Sequence, residues 1–416
     1  MPRCEISILV KFALTMFVFQ SGCLSSHGSM DGQACPDMDP RGKLSATTES
    51  GVEPICAPWG CGTNSATVGD GVVFDELDGS GEPDARGVRI VKAKLGTKPV
   101  RLHVHRHTLS AIEDDGTSHE GLALRGMIIE LNAVTKSGDN RSYELTIEDV
   151  SPDPTGRRPG ALTFWAGAPE QIPSYRILSR PLGSDCTRAP ICKINLPLGE
   201  PVPPGLEHDA IVFEGDHYDP GAKTVSDVYS KTRFNLACAG AAPAKMHLMR
   251  HTQAGGWTDD GHVDSHGYPP YYTTLEQRRA MLKMFTADFC GTGTSFTRDG
   301  QPLKYGDANG WYPMTPMLSG SMLPPSAGTI EALWDENGAV CLDQPRRALI
   351  PSMSSTVPAV AVTRVDVENE CTARTDLPAS SDPPYPHLLK PCTGSDGLLT
   401  TGTMPIWHVI SALPPQ

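Results

Sequence analysis

The sequence predicts a β-rich α+β protein. We expect an N-terminal β-sandwich or barrel-like domain, followed by a smaller α+β domain that has one central helix and hairpins. Residues 66–200 contain short runs of β-branched and aromatic residues separated by Gly, Asp, Pro and Ser turns. The 38 prolines and 41 glycines among 416 residues limit helix to a few segments. At this length, two modest cores are favoured over one.

Six runs in the first half have the composition of strands. They are Gly87–Leu95, Val100–His107, Gly126–Val134, Tyr143–Val150, Leu162–Trp165 and Tyr175–Arg180. Pro201–Gly205 follows them, and its prolines can sustain neither a helix nor a ladder of strand hydrogen bonds. The β-rich domain is therefore predicted to end at residue 200.

A single amphipathic helix organises the second domain. Thr273 followed by Glu276 has the spacing of a capping box, so we expect the helix to begin there. Its core face is formed by Leu275, Leu282, Phe285 and Phe289. Cys290 is placed on the last turn, and Gly291 supplies the residue that closes it. A hairpin about Asp299-Gly300 is predicted to follow.

The end of this helix carries a recognisable motif. Thr286–Gly291 and Thr297–Gly300 resemble the ADYC domain of bacterial exported proteins, which is named for its Ala-Asp-Tyr-Cys motif. Phe289 stands where the family has tyrosine. Further blocks of the resemblance are Phe213–Asp216, Asn235–Cys238, Ala332–Trp334 and Gly338–Cys341. The family has no assigned activity, so the resemblance implies export and names no reaction.

The N-terminus predicts export through a membrane. Phe12–Phe19 is apolar and too short to span a bilayer, which is typical of a signal peptide, although a buried N-terminal helix is the alternative. Ser-Gly-Cys ending at Cys23 resembles a lipobox, with Gln20 standing where an apolar residue is expected. We therefore expect lipidation at Cys23 and an extracytoplasmic, membrane-anchored lipoprotein of a bacterial cell envelope.

Composition divides the chain into five segments. Residues 1–23 form the signal peptide, and residues 24–64, rich in Ser, Gly, Asp and Pro, form a flexible tether. Residues 65–200 are the β-rich domain and residues 201–348 the ADYC-like α+β domain. Residues 349–416 form a Pro-rich C-terminal segment closed by a disulfide.

Cysteine usage indicates an oxidising compartment. The chain has 12 cysteines, and without Cys4 and Cys23 an even number remains. Closeness in sequence predicts three short disulfides: Cys56–Cys61, Cys186–Cys192 and Cys371–Cys392. Cys290 is expected to pair with Cys238 or Cys341, which leaves Cys35 and the other of these two cysteines unassigned. No C-x-x-C pair occurs, which argues against a zinc site built from thiolates.

Two groups of residues are candidate metal ligands. Strand alternation places His103, His105 and His107 on one face, where two of them could share a metal; the alternative is a solvated face. The loop before the central helix carries Asp260, His262, Asp264 and His266, which suit zinc, manganese or iron. A glycine-rich acidic loop also needs no ligand to explain it.

An acidic stretch offers a third candidate site. Residues 75–84 carry oxygens that could hold calcium, but their spacing does not match an EF-hand. Turn chemistry alone also explains Asp, Gly and Ser in this order. The stretch is therefore interpreted either as a calcium site or as turns.

The sequence excludes some classes of function but does not specify one. A net charge of −13 without any basic stripe excludes a nucleic-acid partner, and no nucleophile elbow, P-loop or zinc-protease motif occurs. We expect an exported envelope protein with a binding or structural role. Its partners would be the membrane, through the lipid anchor, and an envelope protein or glycan. The alternative is a metal-dependent hydrolase that uses a divalent metal on the Asp260–His266 loop.

Overall fold

The computed structural model of the protein describes residues 66–68, 72–135, 138–153, 162–164, 170–192, 208–219, 222–226, 230–255, 273–293, 304–307, 329–346, 363–373, 389–393 and 409–413. All of them belong to one compact unit, Cys35–Gln416. The helices are α1 (Ala242–Leu248), α2 (Leu275–Thr286), α3 (Arg364–Ala373) and a 3₁₀ turn at Gly121–Leu124.

Strands dominate the described residues, which confirms the predicted β-rich α+β class. They are β1 (Ala66–Val68), β2 (Val72–Phe74), β3 (Glu76–Asp78), β4 (Arg89–Leu95), β5 (Lys98–His105), β6 (Thr108–Ile112), β7 (Ser118–Glu120), β8 (Ile128–Val134), β9 (Asn140–Ser151), β10 (Leu162–Thr163), β11 (Gln171–Ile172), β12 (Ser174–Pro181), β13 (Ala189–Pro190), β14 (Asp209–Glu214), β15 (His217–Asp219), β16 (Thr224–Ser226), β17 (Arg233–Cys238), β18 (Lys304–Asp307), β19 (Thr329–Asp335), β20 (Gly338–Leu342) and β21 (Val409–Leu413). All six predicted strand runs overlap observed strands.

One large antiparallel sheet forms the core of the fold. Its strand order is β3-β17-β14-β12-β9-β8-β4-β5-β6-β7, with β13 beside β12. The sheet curls back on itself, so that β14 meets the turn between β5 and β6. There the backbone amide of Glu214 donates to the carbonyl of Arg106 at 2.9 Å. The Tyr175 hydroxyl of β12 similarly accepts from the amide of Leu109 in β6 at 3.0 Å. The turn between β5 and β6 is thereby held over the middle of the sheet.

The large sheet runs across the predicted boundary at residue 200. Tyr175 of β12 pairs with Ala210 of β14, and β3 pairs with β17. Strands on both sides of Pro201–Gly205 therefore share one ladder of main-chain hydrogen bonds. The five-segment division of the chain remains a prediction.

The central helix begins one residue later than predicted. Thr274 is the N-cap, and its hydroxyl accepts from the amide of Gln277 at 3.2 Å. The Gln277 side chain accepts from the amide of Thr274 at 2.9 Å, so the capping box uses this pair instead of Thr273 and Glu276. The helix ends at Thr286, because Ala287 adopts a left-handed conformation with φ of 51°. Cys290 is therefore beyond the helix and not on its last turn.

A second, four-stranded sheet is tied to the end of α2. Its order is β18-β21-β19-β20, and α2 packs against β19. Glu331 of β19 and Arg346 form a buried ion pair with a nitrogen–oxygen distance of 2.8 Å. Arg346 also donates to the carbonyls of Met284 and Phe285. The guanidinium thus satisfies carbonyls in the last helical turn that have no partner within the helix.

Three disulfides join segments that are distant in sequence. They are Cys192–Cys238, Cys290–Cys371 and Cys341–Cys392, with sequence separations of 46, 81 and 51 residues. Their Cα–Cα distances of 5.1–5.4 Å are ordinary for a disulfide.

The predicted local pairings are therefore wrong for Cys186–Cys192 and for Cys371–Cys392. Pairing of Cys290 with Cys238 or Cys341 is also wrong, because Cys290 bonds to Cys371. The physical reason is that strand pairing, which brings distant segments together, decides which sulfurs meet. Cys186 is also disulfide-bonded. The predicted Cys56–Cys61 pair lies outside the described residues.

The Cys290–Cys371 bond is expected to contribute strongly to stability. Replacing both cysteines by serine should lower the free energy of unfolding by about 4 kcal/mol, because an 81-residue loop is no longer closed in the unfolded chain. Urea unfolding of the oxidised protein measures the loss. The Cys192→Ser/Cys238→Ser variant is a matched control with a shorter loop of 46 residues and a slightly smaller expected loss. An unchanged urea midpoint would contradict the prediction.

Candidate functional site

The predicted histidine face is only partly confirmed. His103 and His105 are exposed on β5, while Leu102 and Val104, which alternate with them, are buried, as the alternation predicted. His107 is buried, and its assignment to the exposed face is wrong. The reason is that β5 ends at His105 and Arg106 turns the chain with φ of 53°.

The other predicted metal ligands divide into two groups. Asp260, His262, Asp264 and His266, like Cys23, lie outside the described residues. Two carboxylates of residues 75–84 serve turns: Asp78 accepts from Ser80, and Asp84 accepts from two amides that follow it. Glu76 instead pairs with Arg233. Within the described part of the chain, no three His, Cys, Asp or Glu side chains converge as metal ligands. The turn interpretation therefore holds for Asp78 and Asp84, and calcium binding at this stretch stays a prediction.

The motif at residues 287–290 forms a structural joint. The Asp288 carboxylate is fully buried and accepts from Lys283 Nζ at 2.6 Å and from the amide of Gly293 at 2.8 Å. Burial raises the pKa of Asp288, and the Lys283 charge opposes that rise. Phe289 stacks on Trp334 of β19 with ring centroids 5.1 Å apart. Each side chain of the motif is thus committed to packing or pairing.

A close backbone approach locks this joint to the hairpin between β19 and β20. The amide of Ala339 donates to the carbonyl of Phe289 at 3.0 Å. A Cβ on Gly338 would lie 2.8 Å from that carbonyl oxygen and from the amide nitrogen of Gly291, so only glycine fits there. Cys290 is bonded to Cys371, which confirms the predicted structural role although not the predicted partner. Its sulfur is therefore not a free thiol nucleophile.

A buried group of rings and charges lies where the turn after β5 meets α1. We call it the His107–His247 cluster, and its members are Arg106, His107, Phe164, Glu170, Phe213, His247 and Arg250. His247 of α1 stacks on Phe213 of β14 at 4.6 Å, and its ring centroid lies 5.5 Å from that of His107. The Arg250 guanidinium lies 3.9 Å above the centroid of Phe164. The cluster is thus formed by four segments that are separate in sequence: the turn after β5, the region of β10 and β11, strand β14, and α1 with the turn that follows it.

Both imidazoles in the cluster have one nitrogen in use and one without a partner. His247 is fully buried, and its Nδ1 lies 2.9 Å from the Thr252 hydroxyl. Within the described residues, His247 Nε2 and His107 Nδ1 have no hydrogen-bond partner. Burial, followed by the charges of His107, Arg106 and Arg250, lowers the pKa of His247 well below its usual value. His247 is therefore a neutral polar ring whose Nε2 has no partner among the described residues.

Glu170 forms the outer edge of the cluster. Its carboxylate lies 3.4 Å from His107 Nε2, 3.4 and 3.5 Å from the Arg106 guanidinium and 4.0 Å from Arg250. The His107 interaction, followed by Arg106 and Arg250, lowers the pKa of Glu170, so this side chain is an anion at neutral pH. Well-formed charge-assisted hydrogen bonds measure about 2.7–2.9 Å, so all of these contacts are loose. The arrangement can hold a polar ligand.

The sequence offered almost no signal for this cluster. Its members extend from Arg106 to Arg250, so no local spacing relates them. His107 was identified as a candidate but placed on the wrong face, and the other members were not identified. Only the curl of the sheet brings the turn after β5 against α1, and that curl is a tertiary feature.

Outside the cluster, His217 forms a hydrogen bond with a carboxylate. His217 Nδ1 bonds to Glu76, which also pairs with Arg233 at 2.8 Å. The hydrogen bond to Glu76 raises the pKa of His217. The folded state therefore binds its proton more tightly than the unfolded state does, and protonation at this site favours folding.

This linkage predicts a pH-dependent stability. The contribution of His217 should be fully present below about pH 6.5, the unfolded value, and should be lost as pH rises through the raised folded pKa. The measurement is the difference in unfolding free energy between wild type and His217→Gln, and it should shrink over that interval. The exposed His103→Gln control should show no such trend. A difference that grows with pH would refute the linkage.

The comparisons with known proteins agree with the motif. No curated protein and no solved structure matches the chain significantly. The family model of the ADYC domain matches residues 123–348, which is more than half of the chain. That range contains the joint at residues 287–290, both partners of the buried Glu331–Arg346 pair, and every member of the His107–His247 cluster except Arg106 and His107. The chain belongs to the ADYC domain family.

Proposed function

We propose that this chain is an exported protein of the bacterial cell envelope whose role is to bind a ligand at the His107–His247 cluster. The observation that carries the proposal is the pair of buried imidazole nitrogens that have no partner within the described residues. Leaving a buried polar group unpaired costs about 1–3 kcal/mol, and sites that tolerate this cost are often functional. A bound ligand would supply the missing partners.

Export is supported by the covalent chemistry. Disulfides persist in oxidising compartments, and the three bonds found here indicate an extracytoplasmic location. None of the described helices has the length and apolar composition needed to cross a membrane. We propose that a lipid on Cys23 anchors the protein to the envelope.

The lipid anchor predicts a change in fractionation. Cys23→Ser should move the protein from the membrane fraction to the soluble extracytoplasmic fraction, because several acyl chains anchor stably where a protein surface does not. Immunoblots of fractionated cells and mass spectrometry of the mature N-terminus measure this. Cys4→Ser, which lies within the predicted signal peptide, is the control and should leave the distribution unchanged. Membrane retention of Cys23→Ser would contradict lipidation at this position.

The cluster supports binding better than covalent catalysis. No member of the cluster carries a hydroxyl, and the neighbouring Thr252 hydroxyl contacts His247 at 2.9 Å and accepts from the amide of Gly255 at 2.9 Å. The Cys290 sulfur is used in a disulfide. The cluster therefore offers hydrogen-bonding positions and charges, and its chemistry suits recognition. The predicted metal-dependent hydrolase depends on Asp260–His266, outside the described residues, and stays a prediction.

Binding at the cluster is tested by ligand-induced thermal stabilisation. A panel of neutral, cationic and anionic small molecules should contain compounds that raise the melting temperature of the oxidised protein, because a ligand at 100 times its Kd stabilises by about 2.7 kcal/mol. His247→Phe keeps a ring that can stack on Phe213 but removes both nitrogens, Nε2 and the Nδ1 that contacts Thr252, so the shift should fall. His103→Gln, exposed on β5, should respond like wild type. The proposal fails if no compound shifts the wild type or if His247→Phe retains the full shift.

A further inference from the structure

The carboxylate of Glu170 resembles a ligand more than a structural anion. It is surrounded by three groups that favour negative charge, yet its contacts measure 3.4–4.0 Å. Two fully buried carboxylates of the second half of the chain are held more closely: Asp288 lies 2.6 Å from Lys283, and Glu331 lies 2.8 Å from Arg346. Glu170 therefore fills a positively charged position without completing its hydrogen bonds.

Exposure shows which partner can move. The Glu170 side chain is 37% exposed, whereas the side chains of His107 and Arg250 beneath it are 6% and 8% exposed. Glu170 precedes the two-residue strand β11, which among the described residues pairs only with the two-residue strand β10. Its side chain can rotate toward solvent without breaking the large sheet. The Arg250 guanidinium would stay in place, because it is held against the ring of Phe164.

The local field distinguishes an anion from a metal ion. Two imidazoles with vacant nitrogens are a common start for a metal site, and a divalent cation is the obvious alternative occupant. Here the guanidinium groups of Arg106 and Arg250 lie 3.4 and 4.0 Å from the same carboxylate, and after burial their charges lower the pKa of His247, so the potential at this ring is positive. A positive potential opposes a second cation and attracts an anion. The unpartnered His107 and His247 nitrogens then serve as neutral hydrogen-bonding positions.

We infer that the His107–His247 cluster is an oxyanion-binding site, in which the carboxylate or phosphate group of a ligand takes the place of the Glu170 side chain. Arg106, His107 and Arg250 receive the anion. This inference rests on the proposed binding function and names its ligand class. Guanidinium groups suit it, because their planar set of donors matches the geometry of both carboxylate and phosphate.

The test compares anion binding with and without the negative charge of Glu170, which would compete with a bound anion. Calorimetric titrations with acetate, benzoate, inorganic phosphate and phenyl phosphate are compared between wild type and Glu170→Gln, which keeps the size of the side chain and removes its charge. Glu170→Gln should bind at least one of these anions roughly ten-fold more tightly, a difference of about 1.4 kcal/mol. The carboxylate and phosphate arms show which group the site prefers.

Glu113→Gln is the matched control. Glu113 also contacts a histidine and a cation, with distances of 2.8 Å to His119 and 2.5 Å to Lys98, but it lies at the opposite end of β6 from the cluster. Its substitution should leave anion affinity unchanged. Adding Arg106→Gln to Glu170→Gln should remove the gain in affinity, because it removes one of the cations that receive the anion. Arg106 lies partly exposed at the edge of the cluster, so its substitution should have little effect on the core. Circular dichroism and melting temperature establish that each variant is folded.

Three results would overturn the inference. They are equal anion affinity in wild type and folded Glu170→Gln, an equal gain in Glu113→Gln, and binding of neutral benzamide as tightly as benzoate. The last result would leave a binding protein with a different ligand class, so the proposed function would survive it. Failure of every probe, neutral or charged, at the cluster would instead contradict the proposed function itself.

Discussion

The buried pairing of Asp288 with Lys283 is the interaction on which the second half of the fold depends. A carboxylate and an ammonium group in a dry interior are tolerated only when each satisfies the other, and removing one partner leaves a buried charge that costs about 3–5 kcal/mol. Lys283 Nζ also donates to the carbonyls of Ala222 and Gly291. One ammonium group therefore connects α2, the segment before β16 and the chain that follows the helix.

The same region shows why the family motif contains those residue types. Ala287 turns the chain, Asp288 pairs in the interior, Phe289 packs on Trp334, and Cys290 forms the bond to Cys371. Phenylalanine in place of tyrosine is compatible with this role, because the ring is fully buried and stacked. The motif that names the family thus stabilises the fold, and the candidate binding chemistry lies elsewhere.

The His107–His247 cluster differs from that joint in how closely its charged groups approach one another. At the joint, charges meet at 2.6 Å and the backbone closes tightly over them. In the cluster, two ring nitrogens lack partners within the described residues, and Glu170 touches its cations at 3.4 Å or more. The wider contacts around Glu170 are one reason why we propose the cluster, and not the joint, as the binding site.

Local patterns in the sequence determined the strand-rich class, six of the strands of the first half, the central helix and the involvement of cysteines in disulfides. These features depend on neighbours within a few positions, through alternation, turn residues and capping. Tertiary structure alone decided the cysteine partners, the burial of His107 and the meeting of Arg106, Glu170 and Arg250. The physical reason is that antiparallel pairing and sheet curvature bring together residues 46 to 144 positions apart, as in Cys192–Cys238 and in Arg106 with Arg250. No local periodicity encodes such distances.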